Sequence, residues 1–203
     1  MSPTWYSSLR DIIDFKVYIE ILKPIYDTLE GRNEPKSELD PFAKMIMMAG
    51  RGLTEEQWLD ELRTVQIWKT LTMGCGNLHQ KIMGACPGWQ DLKQGHATKC
   101  DLMTEDGSAV AEIKNNVNTM NSDSKASVEK KLRAQISLGK QAFLVIVNGN
   151  IPTREVNGIT WISGKEFYEL ITGTSSMFDD LQEVLLHTFT VYKTYDELKK
   201  CLI

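Results

Sequence analysis

Apolar residues recur along the first third of the chain at spacings of three and four. Leu9, Ile12, Ile13, Val17, Ile21 and Leu22 form one such stripe, which predicts an amphipathic helix. Pro24 is expected to end or kink it, because proline lacks the N–H that a helix interior needs. The polar cluster 31–37 (GRNEPKS) reads as a turn. Asp40-Pro41 then starts a second helix, with Asp40 as cap and Pro41 in the first position. Phe42, Met45, Ile46 and Ala49 make its expected inner face, and Gly50 its stop. Thr54-Glu55-Glu56-Gln57 has the form of a capping box. It opens a longer helix with Trp58, Leu62, Val65 and Trp68 on one side. Residues 4–72 are therefore expected to be helical, and stripes of this kind ordinarily face a core.

The pattern changes in the middle. Residues 77–83 read as a short helical piece, ahead of Pro87-Gly88. Two short runs, 99–104 and 108–114, flank Glu105-Asp106-Gly107, a strong hairpin signal. Polar residues fill 115–127. A basic helix is expected over 127–139, with Val128, Leu132, Ile136 and Gly139 toward the core. Residues 142–147 are wholly apolar, as in a strand buried on both faces. A further strand is expected over 158–162, and Ser163 caps a helix reaching Ile171. Two C-terminal helices follow, 177–189 and 195–202, with Val191 and Tyr192 extended between them. This order predicts an α/β fold: a central mixed sheet flanked by helices, with a helical N-terminal region. The organisation expected is a helical region over 1–72, packed on or continuous with a core over 73–203.

Length and composition constrain the class. The chain has 203 residues, 25% charged and 42% hydrophobic, which suits a folded domain rather than a disordered chain. No apolar run approaches the roughly 18 residues of a membrane span. The first six residues lack the basic flank and apolar core of a secretory signal, so a cytoplasmic location is expected. Cys75, Cys86, Cys100 and Cys201 then read as reduced thiols. Cys75, His79, Cys86, His96 and Cys100 crowd into 26 residues and offer donors for zinc. They lack the paired CxxC spacing of structural zinc sites.

The chemistry-bearing feature is Asp101, then Glu112-Ile113-Lys114. Alternate strand residues share a face, so Glu112 and Lys114 point the same way. If Asp106-Gly107 is a two-residue turn, Asp101 lies opposite Glu112 and Lys99 opposite Lys114. Two close carboxylates repel, and Mg²⁺ relieves that repulsion, preferring oxygen ligands and keeping several waters. Asp101, Glu112 and the carbonyl of Ile113 are the expected ligands. Lys114 is placed to orient water or to neutralise charge on a phosphate. The same residues also fit an ordinary surface salt bridge. Against that, Val110, Ala111 and Ile113 embed the charges in an apolar strand, where they are expensive.

At these residues the chain resembles the PD-(D/E)XK nuclease superfamily, with the motif standing as Cys100-Asp101…Glu112-Ile113-Lys114. The surroundings resemble the family of type II restriction endonucleases that cuts GGNCC-type sites. The similar stretches are Lys69-Thr70 through Asn77-Leu78-His79-Gln80-Lys81, then Ala111 to Asn115 with Asn118 to Asn121. Ile162 to Tyr168, with Thr172-Gly173, completes them. The resemblance implies a Mg²⁺-dependent endonuclease that acts on double-stranded DNA as a homodimer. It also implies a cognate DNA methyltransferase in the same system, though not as a physical partner. It assigns Asp101 and Glu112 as metal ligands, Lys114 as the catalytic lysine, and Gln80 as the amide residue on the helix before the hairpin. Cys100 stands where the motif has proline.

Net charge is −4. Yet residues 114–140 hold six Lys and Arg against two acids, a local +4 beside the proposed site. Asn115, Asn116, Asn118, Asn121 and Lys125 follow the motif directly and are candidate DNA contacts, since Asn pairs with adenine and Lys with guanine. Lys130, Lys131 and Arg133 suit phosphate or a solvated face; Lys130 and Arg133 are taken as DNA contacts. Two other readings fit the residues: a repair or structure-selective nuclease, and a non-catalytic DNA-binding or interaction module.

Overall fold

The computed structural model describes residues 2–32, 40–93, 95–116, 122–149 and 151–202. After a 3-10 turn at Thr4–Tyr6, the N-terminal helices are α1 (Phe15–Leu29), α2 (Pro41–Arg51) and α3 (Glu55–Gly84). Strands β1 (Trp89–Asp91), β2 (Leu102–Thr104) and β3 (Ala109–Asn116) lead into α4 (Ser122–Ile136). Then come β4 (Gln141–Asn148), β5 (Arg154–Val156), β6 (Ile159–Ser163), α5 (Gly164–Thr172), α6 (Met177–Val191) and α7 (Tyr195–Lys199). The six strands form one mixed sheet in the order β1-β2-β3-β4-β6-β5. Strand β4 is parallel to both β3 and β6, while the other neighbours are antiparallel. No described helix is long and apolar enough to cross a membrane. The chain divides into two compact units, residues 1–22 with 76–203, and residues 23–75.

In the larger unit, β4 is buried from Ala142 to Val147, as its wholly apolar run requires. One face of the sheet presents Val110, Leu144, Ile146, Ile159 and Trp161, and α4 covers it with Val128 and Leu132. An aromatic group comprises Phe143 of β4, Trp89 of β1 and Phe167 of α5, with ring centroids 5.3–6.3 Å apart. Ser163 caps α5 as expected, accepting the Glu166 N–H at 3.3 Å. Thr194 and Glu197 make a full capping box on α7.

The hairpin matters most. Leu102 pairs with Ala111 and Met103 with Val110. This is the register that sets Asp101 opposite Glu112. The connection is longer than the expected two-residue turn, running over the four residues 105–108. Gly107 N–H closes on the Thr104 carbonyl at 2.9 Å, and Gly107 itself has φ +74°, open to glycine at little cost. Two extra residues, one on each side, leave the pairing unchanged. The first run is shorter than expected: Lys99 (φ +57°) and Cys100 precede β2. Lys99 is therefore not a strand partner of Lys114.

Several helical expectations need correction. Pro24 stands inside α1, which continues to Leu29. Gly50 does not stop α2; the cap is Gly52. Asp40 caps α2 as expected, accepting the N–H groups of Phe42 and Ala43. The Thr54–Gln57 capping box is also present. However, α2 has no buried residue, and its expected inner face is exposed, Phe42 by 70%. On α3, Trp58 is buried while Val65 and Trp68 are exposed. Residues 77–83 are the end of α3 rather than a separate piece. Two strands escaped the pattern: β1, and β5, which Asn157-Gly158 turns into β6. Most of the expected turn 31–37 lies outside the described residues.

Candidate active site

Strand alternation puts Val110, Glu112 and Lys114 of β3 on the face that α4 covers. Glu112 is therefore a carboxylate inside an apolar layer, its side chain only 2% exposed. A buried charge is tolerable only when paired. Glu112 has two cations. Lys114 Nζ donates to Oε1 at 2.6 Å. Oε2 meets the ammonium of Lys131, from α4, in an ion pair and is otherwise without a hydrogen-bond partner.

Asp101 comes to the same place from the bend just before β2. Its Oδ2 accepts the backbone N–H of Ile113 at 2.8 Å. Burial, and then the Glu112 charge, push the Asp101 carboxyl up to about 6, against the opposing pull of the Ile113 N–H, Lys114 and Lys131. Two close carboxylates, Glu112 buried and Asp101 half-buried and penalised for ionising, form a hard oxygen donor set that gains from a divalent cation. The donors present fit such an ion.

Asp101, Ile113 and Lys114 line a cavity of about 440 Å³ together with Asn77, Gln80, Lys93, His96 and Lys99. Three lysines thus share one concave surface with a carboxylate. Gln80 reaches the cavity from α3, but its Nε2 donates to Asp91 at 2.6 Å. That contact holds the amide against β1. Gly84 permits the approach: a Cβ there would lie 2.5–2.8 Å from Asp91.

The candidate DNA contacts divide. At the far ends of the parallel strands, Asn148 Nδ2 donates to Asn115 Oδ1 at 2.6 Å, and Asn116 pairs in register with Asn148. Lys125 lies over the Trp161 ring at 5.1 Å, on the same ring that Arg154 approaches at 5.4 Å. Arg133 pairs with Glu129 one turn away at 2.9 Å. Lys130 is exposed. Asn118 and Asn121 lie outside the described residues.

The cysteines and histidines do not gather. Among the described residues no three His, Cys, Asp or Glu come together to hold a metal. Cys86 is buried and donates to the Ile82 carbonyl, and burial drives its thiol up to about 12. His79 Nδ1 is 3.0 Å from the Tyr168 hydroxyl, and its ring stacks on Phe178. Burial lowers its pKa to about 4.

Sequence reasoning took Lys131 for a phosphate contact or a solvated face and Lys99 for a strand partner of Lys114, and it missed Lys93, Asp91 and Asn148. The signal for Lys131 was present. It lies three residues after Val128 and four before Gln135, both buried, so helical periodicity places it on the inward stripe.

Residues 14–192 match the family described as Eco47II restriction endonuclease. The chain belongs to this family. It is 28% identical over 172 residues to the type II restriction enzyme Eco47II of Escherichia coli, covering 73% of this chain and 71% of that protein. It is 27% identical over 191 residues to the type II restriction enzyme Sau96I of Staphylococcus aureus, covering 80% and 72%. As a member of the family, the chain is a type II restriction enzyme, a site-specific deoxyribonuclease whose substrate is DNA.

Proposed function

We propose that this restriction enzyme cleaves double-stranded DNA at a short palindromic site of the GGNCC type, using Mg²⁺ held by Asp101, Glu112 and the Ile113 carbonyl. The observation that carries this is the register of the hairpin, which faces Asp101 toward Glu112 beside the Lys114 ammonium. When bound, the cation supplies charge neutralisation and Lewis acidity at the scissile phosphate. Lys114 orients the attacking water and offsets charge that develops on the phosphate. Lys93 and Lys99, on the same cavity, hold the backbone on either side. Gln80 positions the α3 end of the cavity through Asp91. Asn115, Asn116 and Asn148 offer paired donors and acceptors to base edges, and Lys125, Lys130 and Arg133 contact phosphate. The matched relatives carry the names of type II restriction enzymes, and the resemblance to the GGNCC-cutting family supports the site class.

A palindrome is read by two-fold protein symmetry, so we take the working form to be a homodimer. A cytoplasmic enzyme of this kind works beside a methyltransferase that protects the host sites. The test is digestion of a plasmid of known sequence with Mg²⁺ and with EDTA, followed by end mapping. Discrete GGNCC-type ends, lost with EDTA and in Lys114→Ala, are expected. Cutting confined to junctions or mismatches would favour a structure-selective nuclease instead.

A further inference from the structure

Lys131 is placed where a solvated lysine would not be. It sits on the inward stripe of α4, and its ammonium has two fixed partners: Glu112 Oε2 by ion pair, and the Lys99 carbonyl, to which it donates at 2.8 Å. Lys99 supplies that carbonyl from a left-handed backbone, φ +57°, a conformation unfavourable for a residue with a Cβ. Glu112 thus carries two ammonium groups, one on each oxygen, while Asp101 beside it has none within ion-pair distance among the described pairs. Two carboxylates and two ammonium groups are already neutral. A divalent cation added to Asp101 and Glu112 meets both ammonium groups at close range, where like charges repel strongly.

We propose that Lys131 is a positioning residue of the nuclease site, a built-in monovalent stand-in that holds Glu112 in the cation-free enzyme and yields Oε2 to the divalent ion. The inference rests on the Mg²⁺ reading given above. Lys114, the motif lysine, sits on the same strand as Glu112 and remains. Lys131 has somewhere to stay when displaced, because the Lys99 carbonyl holds it independently of the carboxylate. The buried Oε2, which has no other partner, is the atom that changes hands.

The experiment is calorimetric titration of Ca²⁺ and of Mg²⁺ into DNA-free enzyme, comparing wild type with Lys131→Met, Lys131→Gln, Lys131→Arg and Asp101→Asn. Thermal melts establish that each variant is folded. Removing the competing ammonium is expected to tighten cation binding about tenfold or more in the Met and Gln variants. Lys131→Arg keeps the competing charge and is expected to show no such gain. A merely structural lysine would lower the melting temperature without raising cation affinity. Unchanged or weaker binding in both neutral variants, with binding still lost in Asp101→Asn, overturns the role of Lys131 and leaves the Mg²⁺ reading standing. Absence of any Asp101-dependent binding in wild type and in both neutral variants overturns the two together.

Discussion

The Asp101 side chain is tied to the strand that carries Glu112 through the backbone N–H of Ile113, which donates to Oδ2 at 2.8 Å, while the Asp101 N–H donates to the Ala111 carbonyl at 3.1 Å. The bond to Oδ2 orients the carboxylate, but it does not cancel the burial and the Glu112 charge that raise its pKa to about 6. The ionised form is therefore a burden on the fold. Asp101→Asn keeps an oxygen to accept the Ile113 N–H and removes the charge. A pKa raised by about two units corresponds to roughly 2–3 kcal/mol against the charged form. At pH 8 the variant is expected to melt a few degrees higher than wild type, at about 2–4 °C per kcal/mol, while plasmid cleavage falls at least about a thousandfold. Calorimetry and a cleavage time course check the two halves separately. A variant that is both destabilised and inactive would mean the carboxylate serves the fold.

The same shift sets a pH dependence for cation binding. A proton and a divalent ion compete for Asp101. An ordinary aspartate would release its proton near 4, whereas this one holds it to about 6. The Mg²⁺ concentration for half-maximal cleavage is expected to be flat above pH 6. Below pH 6 it should rise by about tenfold per pH unit. Titrations at four pH values between 5 and 8 measure the slope. A profile that stays flat down to pH 5 would remove Asp101 from the ligand set.

His79 gives an opposite signature in stability. It is buried neutral, with its pKa lowered to about 4 and the Tyr168 hydroxyl at Nδ1. In the unfolded chain it takes up a proton near 6.5. Its contribution is therefore fully present above pH 6.5 and is lost as pH falls toward 4. Between pH 7 and pH 5 the loss is about 2 kcal/mol. His79→Gln cannot titrate, so the stability difference between it and wild type should close by that amount on acidification. Urea midpoints at the two pH values provide the comparison. Parallel losses in both proteins would mean His79 is already charged in the fold.

Much of this arrangement was legible in the chain, for identifiable reasons. The hairpin register followed from Asp106-Gly107 and the alternation on either side, and it survived a longer connection because the extra residues are symmetric about the turn. The buried β4 followed from the unbroken apolar run 142–147. Pro24 misled because α1 runs on to Leu29 despite the missing N–H. Gly74 and Gly76 are likewise tolerated within α3. Lys131 was misplaced because a cation on an inward helical stripe looks like a surface residue until the partner strand is known. Asn157-Gly158 marked the β5–β6 hairpin, but the run before it is only three residues long.

Gly84 tests how closely α3 must approach β1. A Cβ at this position would fall 2.5 Å from the Asp91 amide nitrogen and 2.8 Å from its Cα. These are backbone atoms and cannot rotate away. Gly84→Ala is expected to cost about 1–3 kcal/mol and to loosen the Gln80–Asp91 contact. Asp91→Asn leaves the backbone alone and keeps an acceptor for Gln80, so its melting temperature should stay near wild type. A denaturation series on the two variants separates backbone clearance from side-chain bonding. Equal stability of Gly84→Ala and wild type would show that the contact is slack.

The exposed apolar side chains of residues 42–73 bear on the proposed dimer. Phe42, Met45 and Ile46 of α2 and Val65 and Trp68 of α3 are each more than half exposed. Asp40, Pro41 and Gly52 give α2 well-formed ends, so a helix with no buried residue is still closely specified. Side chains this large are seldom left to water in such number without a partner surface. A second copy of the chain is the partner that the proposed palindromic site calls for. Phe42→Glu and Trp68→Glu place charge on this surface without removing any buried contact. Each is expected to shift the protein from dimer to monomer in light scattering at micromolar concentration. The melting temperature extrapolated to low concentration should be preserved. Double-strand cleavage should fall at least about tenfold at dilute enzyme and recover as concentration rises. Dimers that persist unchanged in both variants would move the interface to another face, with the C-terminal helices next in order.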